Sequence, residues 1–276
     1  MSVDIYERIV ELRRAGRRAA LATIVRRIGS TPRKDHAKML ILDDGTSIGS
    51  VGGGCVEAAV WEAAQAVMTE NRARMVKYEM NDEDAENEGL ICGGTVEVFV
   101  EPLLPEPTLI ILGAGHLGRA ISDVAQPLGF RVTVIDDRPS FASPERFPGA
   151  TVVCQPFECG LSAFSVNSQT FILVVTRGHR HDQIALEHAI QTPARYVGMV
   201  GSRRKIGIIV TNLLKKGLSP DLFKKLYAPI GLDIGSETPE EIAISVAAEL
   251  IAIQKGNHKR TQKQEFVLKL LEQSSD

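Results

Sequence analysis

Hydrophobic residues along this chain fall on two spacings, and each stretch predicts an element. Ile5, Ile9 and Leu12 recur at helical intervals and Gly16 supplies a stop. Residues 18–28 turn β-branched and predict a strand, 38–42 a second, Asp43-Asp44-Gly45 a hairpin turn, and 47–51 the returning strand. An alanine-rich helix is expected over 56–68, a strand over 74–78 and an acidic, solvated loop over 81–88. Val96, Val98 and Val100 then alternate with polar or aromatic neighbours, the pattern of a half-buried strand over 95–101. Three prolines between 102 and 107 follow, and proline cannot continue a central strand. They set the boundary between a small α+β domain, 1–104, and a second domain, 105–276.

The second domain alternates strands with helices. Residues 108–112 are a short apolar run, 117–128 have helical spacing, and 131–135 begin a second strand. A short helix at 143–145 precedes strands at 151–153, 170–175 and 196–200. The run 170–175 is apolar throughout, as a central parallel strand must be. Residues 226–235 are irregular. Thr238-Pro239-Glu240-Glu241 is a helix start, with Thr238 as N-cap, Pro239 in the first position and Glu241 closing a capping box. Ile242, Val246, Leu250 and Ile253 give that helix its buried face. The tail from Lys255 is polar except for amphipathic turns around 266–271, which are expected to pack on a second copy of the chain. Strand–helix alternation of this kind predicts a Rossmann-like, doubly wound parallel sheet.

Composition narrows the classes. With 44% apolar and 24% charged residues the chain can build cores, and a net charge of -2 argues against a nucleic-acid binder or a polybasic membrane anchor. Asp4, Glu7, Arg8 and Glu11 rule out a signal-peptide core, and no apolar run spans a bilayer, so a cytoplasmic protein is expected. Cys55, Cys92, Cys154 and Cys159 form neither a disulfide framework nor a C-x-x-C zinc pair.

Candidate chemistry concentrates in the glycine-rich turns. Gly113-Ala114-Gly115-His116-Leu117-Gly118 joins a strand to a helix. Gly113 permits the turn, Gly115 lets backbone approach a pyrophosphate, and Gly118 lets the helix pack on the sheet. Asp136, at the end of the next strand, is placed to bind a ribose hydroxyl, while Arg138 leaves room for a 2′-phosphate. Gly52, Gly53 and Gly54 precede a helix, either as a nest of N–H groups for an anion or as a turn. Glu57 favours the dipole there, and Cys55 is either a ligand-side thiol or a small buried residue. Cys92, beside Gly93 and Gly94, is reachable by a ligand. His179, His181 and Asp182 carry metal-binding donor types, but Asp182 is better placed as the helix N-cap and His181 on the surface. Arg203, Arg204 and Lys205 oppose a helix dipole unless an anion or acid compensates.

Taken together, the segments at 29–33, 52–57, 92–94, 113–118, 198–205 and 229–241 resemble the XdhC/CoxI family of xanthine dehydrogenase accessory factors. The resemblance runs from the first strand to Ile253. It implies a chaperone, rather than a catalyst, that binds molybdenum cofactor (molybdopterin, in its simple or dinucleotide form), protects it during sulfuration and delivers it to an apo molybdenum hydroxylase of the xanthine dehydrogenase type. A cysteine desulfurase and a second copy of the chain are the further partners implied. Cys92 is placed nearest the molybdenum, and Arg33 with the glycine turns at 52–54 and 93–94 would hold phosphate and pterin edges. Cys55 departs from the simplest pattern by offering a second thiol. The alternative reading is an NAD(P)-dependent oxidoreductase using Gly113, Gly115, Gly118 and Asp136, with His179 as its acid or base.

Overall fold

The computed structural model describes residues 4–29, 36–80, 94–257 and 262–272. Two compact units divide the chain, Met1–Glu106 and Pro107–Asp276.

In the first unit, α1 (Ile5–Arg14) precedes strands β1 (Ala19–Gly29), β2 (Lys38–Leu42) and β3 (Ser47–Gly49), then α2 (Gly54–Glu70), β4 (Arg74–Met80) and β5 (Gly94–Leu103). The sheet is antiparallel, in the order β3-β2-β1-β5-β4. Strand periodicity sorts side chains between its faces. Met39 and Ile41 join Ala20, Ala22, Ile24, Val96, Val98 and Val100 under the Val56, Val60, Ala64 and Val67 face of α2. Leu40 and Leu42 point the other way, to Leu12 of α1. The strand expected to end before the prolines continues through Pro102, which pairs with Ala20. This is tolerated because β4 begins at Arg74, opposite Val100, so Pro102 has a strand on one side alone. The helix expected from residue 56 starts at Gly54, inside the glycine run. The acidic loop anticipated at 81–88 lies outside the described residues.

The second unit holds six parallel strands, β6 (Thr108–Leu112), β7 (Arg131–Asp136), β8 (Thr151–Cys154), β9 (Thr170–Val174), β10 (Tyr196–Met199) and the short β11 (Leu226–Tyr227). Their order is β11-β10-β9-β6-β7-β8. The chain therefore builds outward from β6 in one direction and returns to build the other way from β9. This is the doubly wound Rossmann arrangement, with its switch point between β6 and β9. Helices α3 (His116–Ala125) and α7 (Pro239–Gln254) cover one face, where Ile121, Val246 and Leu250 meet Leu109, Ile111, Val134 and Leu173. Helices α4 (Phe157–Ser162), α5 (His179–Ile190), α6 (Arg203–Lys215) and α8 (Gln262–Glu272) cover the other, against Ile110, Leu112, Ile172 and Val174.

Local chemistry accounts for the departures from expectation. Helix α3 ends at Ala125 and passes into a 3₁₀ turn, Gln126–Leu128, because Pro127 cannot donate to the α-helical ladder. The tail folds on its own unit: Val267 and Leu271 are buried in the same core as Ile206, Val210 and Leu213. The turn at 143–145 is 3₁₀, Pro144–Arg146. Helix α4 had no clear sequence signal, since its six residues are too few to display a helical period.

The start of α7 carries a full capping box: the Thr238 side chain accepts from Glu241 N–H, and Glu241 accepts from Thr238 N–H at 3.2 Å. Removing the cap in Thr238→Ala should cost about 1 kcal/mol, read as a lower urea midpoint at unchanged slope; an unaltered midpoint would show that the box adds nothing to stability.

Candidate functional site

Strand ends on the carboxyl side of the parallel sheet bring three loops together. Gly113 N–H donates to Ile135 O at 2.8 Å and Val175 N–H to Leu112 O at 2.9 Å, so the turns leaving β6, β7 and β9 are tied to one another. Gly113 has φ +125, and a Cβ there would lie 2.5 Å from Val175 O. A Cβ on Gly118 would lie 2.0 Å from Gly113 O, so these two glycines are demanded by the chain itself. Gly115 is different. Its φ of -71 suits any residue, and a Cβ built on it meets nothing within 4 Å. It is also the N-cap of α3, without a side-chain cap, and the first turn of α3 carries no acid. Backbone N–H groups at a helix start beside open space are suited to a phosphate.

Asp136 holds this arrangement in place. It is buried, and Oδ2 accepts Ala114 N–H from the glycine turn at 2.8 Å. Arg138 supplies its backbone N–H and Nε to Oδ1 at 3.0 and 2.9 Å, and a terminal nitrogen to Oδ2 at 2.9 Å. Burial pushes the carboxyl pKa up, but the bonds from Arg138 and from Ala114 N–H outweigh it and leave the group below the usual carboxylate range. A carboxylate offers about four acceptor sites, and these four bonds use them. A ribose hydroxyl at Asp136 would have to displace one. The neighbouring Asp137 keeps 28% of its side chain exposed while pairing with Arg177 at 2.6 and 2.7 Å. The guanidinium of Arg138 lies 3.6 Å over the Phe141 ring, which orients it.

Asp182 is not the N-cap of its helix. Gly178, at φ +91, occupies that position, and α5 begins at His179. Asp182 sits one turn inside, fully buried, because its carboxylate is used internally: Oδ1 accepts the Thr176 hydroxyl at 2.7 Å, and Lys205 forms an ion pair with Oδ2. His179 is exposed, whereas His181 is half-buried, edge-on to Phe157 with Nε2 3.3 Å from Arg177. Asp137, Arg177 and Phe141 were missed in the sequence; the doubled acid after β7 was the available signal.

In the first unit, antiparallel pairing brings Gly29 and Gly94 together at one end of β1 and β5, while Gly49 lies level with Ala22, farther back along β1. Gly29 ends β1 opposite Gly94, where β5 begins, and Met80 pairs with Gly94 from β4. Gly49 closes β3 opposite Met39, and the Gly52-Gly53-Gly54 run leads from there into α2, with Gly53 as N-cap. Ser50 donates its hydroxyl to Glu57, which fixes that carboxylate on the first turn of α2. Cys55 is half-buried. Arg33, Cys92 and Gly93 lie outside the described residues.

The XdhC Rossmann-domain model matches residues 109–250, and the model of the XdhC and CoxI family matches 12–79. The chain belongs to the XdhC and CoxI family. Among family relatives, the uncharacterized protein YqeB of Escherichia coli (strain K12) is 35% identical over 91% of this chain, which spans 46% of YqeB. A probable subunit of xanthine dehydrogenase from Bacillus subtilis (strain 168) is 27% identical, with 86% of this chain and 93% of that protein covered. The molybdenum cofactor insertion chaperone PaoD of Escherichia coli (strain K12) is 26% identical over 88% and 86%. In fold, the chain resembles the crystal structure of a protein named as a xanthine dehydrogenase from Bacillus halodurans, with a TM-score of 0.50 and 24% identity over 95% of this chain and 98% of that one. Among the described residues no helix is long and apolar enough to cross a membrane.

Gly115 and Gly118 of the XdhC-type turn separate by experiment. Gly118→Ala should unfold or strongly destabilise the Rossmann unit, whereas Gly115→Ala should change stability by about 1 kcal/mol or less and weaken nucleotide binding; thermal melts and an ADP-ribose titration check both. Asp136 should show in the pH profile. Its folded pKa lies below the unfolded one, so its contribution is complete above the unfolded value and is lost as pH falls through the folded value. Asp136→Asn should therefore cost roughly 1.5–3 kcal/mol at pH 7, and urea midpoints of the two proteins should converge in acid.

Proposed function

We propose that this protein is a molybdenum cofactor-binding accessory factor, a chaperone that holds the cofactor for sulfuration and insertion into a molybdenum hydroxylase of the xanthine dehydrogenase type. Membership of the XdhC and CoxI family across both units carries this reading. The names of two relatives, one a subunit of xanthine dehydrogenase, the other a cofactor insertion chaperone, support the same role. The residues fit such a ligand in two places. Around Gly115, open space and uncapped N–H groups suit a phosphate, and a dinucleotide form of the cofactor would bring one. In the first unit, Gly53 and Gly54 at the start of α2 and Gly94 at the start of β5 set no side chain over their backbone, with Arg33, Cys92 and Gly93 nearby in sequence.

In this reading Cys92 is the thiol at the molybdenum, since a soft thiolate suits a metal already held by sulfur. Arg33 and the glycines hold phosphate and pterin edges. A cysteine desulfurase supplies the sulfur, the acceptor is the apo hydroxylase, and the working form is a cytoplasmic homodimer. NAD(P) is the competing occupant of the Rossmann crevice, favoured by the strand order and the open glycine turn.

The test is anaerobic incubation with molybdenum cofactor, gel filtration, and assay of the protein fraction for molybdenum and pterin, beside Cys92→Ala. Retention near one cofactor per chain, reduced several-fold in the variant, is the expected result. No retention by either protein, together with saturable binding of NAD(H) or NADP(H), would replace the chaperone reading with the oxidoreductase one.

A further inference from the structure

Lys205 occupies a position that helix electrostatics disfavour. It is the third residue of α6, after Arg203 and Arg204, and Ser202 caps the helix by accepting Lys205 N–H. Three successive cations thus sit at the positive end of a helix dipole, each opposed by about 0.3–1 kcal/mol. What restrains Lys205 is Asp182. That carboxylate is fully buried, with one oxygen bound by Thr176; among the described residues no donor is aligned for a hydrogen bond to the other, against which the Lys205 ammonium rests as an ion pair.

The two partners differ in exposure. Asp182 is sealed from solvent, whereas Lys205 keeps 26% of its side chain exposed. An ammonium has three donors, and this one meets a single buried oxygen. A pair that only joined α5 to α6 would gain little over apolar packing, because burying a carboxylate costs several kcal/mol. A hidden acid holding a partly open cation instead fixes that cation for a further partner.

Topology says which partner. Thr176 and Asp182 follow β9 and Lys205 follows β10, whereas Asp136 and Arg138 lie at β7, across the switch point. In this strand order each half of the sheet receives one end of a two-part ligand. The segments 176–182 and 201–205, each a strand-to-helix turn with the first residues of its helix, hold Arg177, Arg180, Arg203, Arg204 and Lys205 against the single acid Asp182, and Arg177 is already engaged by Asp137.

We propose that Lys205, positioned by Asp182 and Thr176, contacts a phosphate ester in the second half of the Rossmann crevice. The ester belongs either to the distal part of a dinucleotide or to the terminal phosphate of a pterin. The proposal rests on the reading that this crevice takes part of a phosphate-bearing cofactor. Asp182 is a positioning residue: it acts through the ammonium it holds.

The experiment titrates the full-length protein with AMP, which fills one half of the crevice, and with ADP-ribose, which reaches both, and measures anaerobic retention of molybdenum cofactor in parallel. Lys205→Met should weaken ADP-ribose about tenfold and leave AMP within about twofold. Lys205→Arg should recover most of the loss, and Asp182→Asn should fall between. The double variant Asp182→Asn/Lys205→Met removes the unpaired buried charge; it should melt close to wild type yet bind ADP-ribose no better than Lys205→Met. Equal effects on AMP and ADP-ribose, or binding restored in the double variant, would reduce the pair to a structural staple and overturn the proposal. ADP-ribose binding that depends on Lys205, without cofactor retention, upholds the site and removes the chaperone reading. Retention that depends on Lys205, without ADP-ribose binding, upholds the site with the pterin phosphate as its ligand. Retention indifferent to Lys205, with ADP-ribose equally indifferent, keeps the chaperone and removes the site; binding of neither probe removes both.

Discussion

The carboxylate of Asp136 is the contact on which the crevice of the parallel sheet depends. It is buried at the end of β7, and with four hydrogen bonds it joins the glycine turn after β6 to Arg138 in the following loop. A buried carboxylate that lost these donors would face the full cost of desolvation. The turn at Ala114 and the loop at Arg138 are therefore held together, and the N-terminus of α3 points into the space they leave. Steric demand adds to this. Gly113 and Gly118 have no room for a side chain, so the turn closes tightly, whereas Gly115 has room that no part of the second unit fills.

Much of the architecture was legible because hydrophobic period and turn chemistry agree. The run 108–112 beside Gly113, the alternation of Val96, Val98 and Val100, and the Thr238 to Glu241 box each state one local geometry, and each forms as read. What was illegible depends on partners distant in sequence. Pro102 continues a strand because β4 begins too late to pair with it. The tail at 262–272 packs inward because α6 leaves a place for Val267 and Leu271, which an amphipathic pattern cannot distinguish from a contact with a second copy.

The candidate site divides along the same line. Spacing alone revealed the glycine turn and Asp136, since their separation is set by one strand–helix–strand unit. It did not reveal that Arg138 saturates Asp136, that Arg177 pairs with Asp137 across a gap of 40 residues, or that Asp182 serves Lys205 and not its own helix terminus. Asp182 misled because an acid near a helix start is an ordinary cap. The distinguishing fact is that Gly178 already fills that position, which depends on a backbone φ of +91.

The three acid–cation pairs of the crevice are not equivalent, and the difference bears on specificity. Arg138 spends its Nε and a terminal nitrogen on Asp136 and lies flat over Phe141, and Arg177 spends both terminal nitrogens on Asp137. Each is a fork matched to its own carboxylate, so each contributes mainly to the shape of the wall. Lys205 is a point charge with one buried contact. Pairing thus separates two cations that brace the loops after β7 and β9 from one that is held by a carboxylate sealed from solvent beside β10. Asp136 therefore sets the position of the glycine turn after β6, and Asp182 that of the Lys205 ammonium after β10.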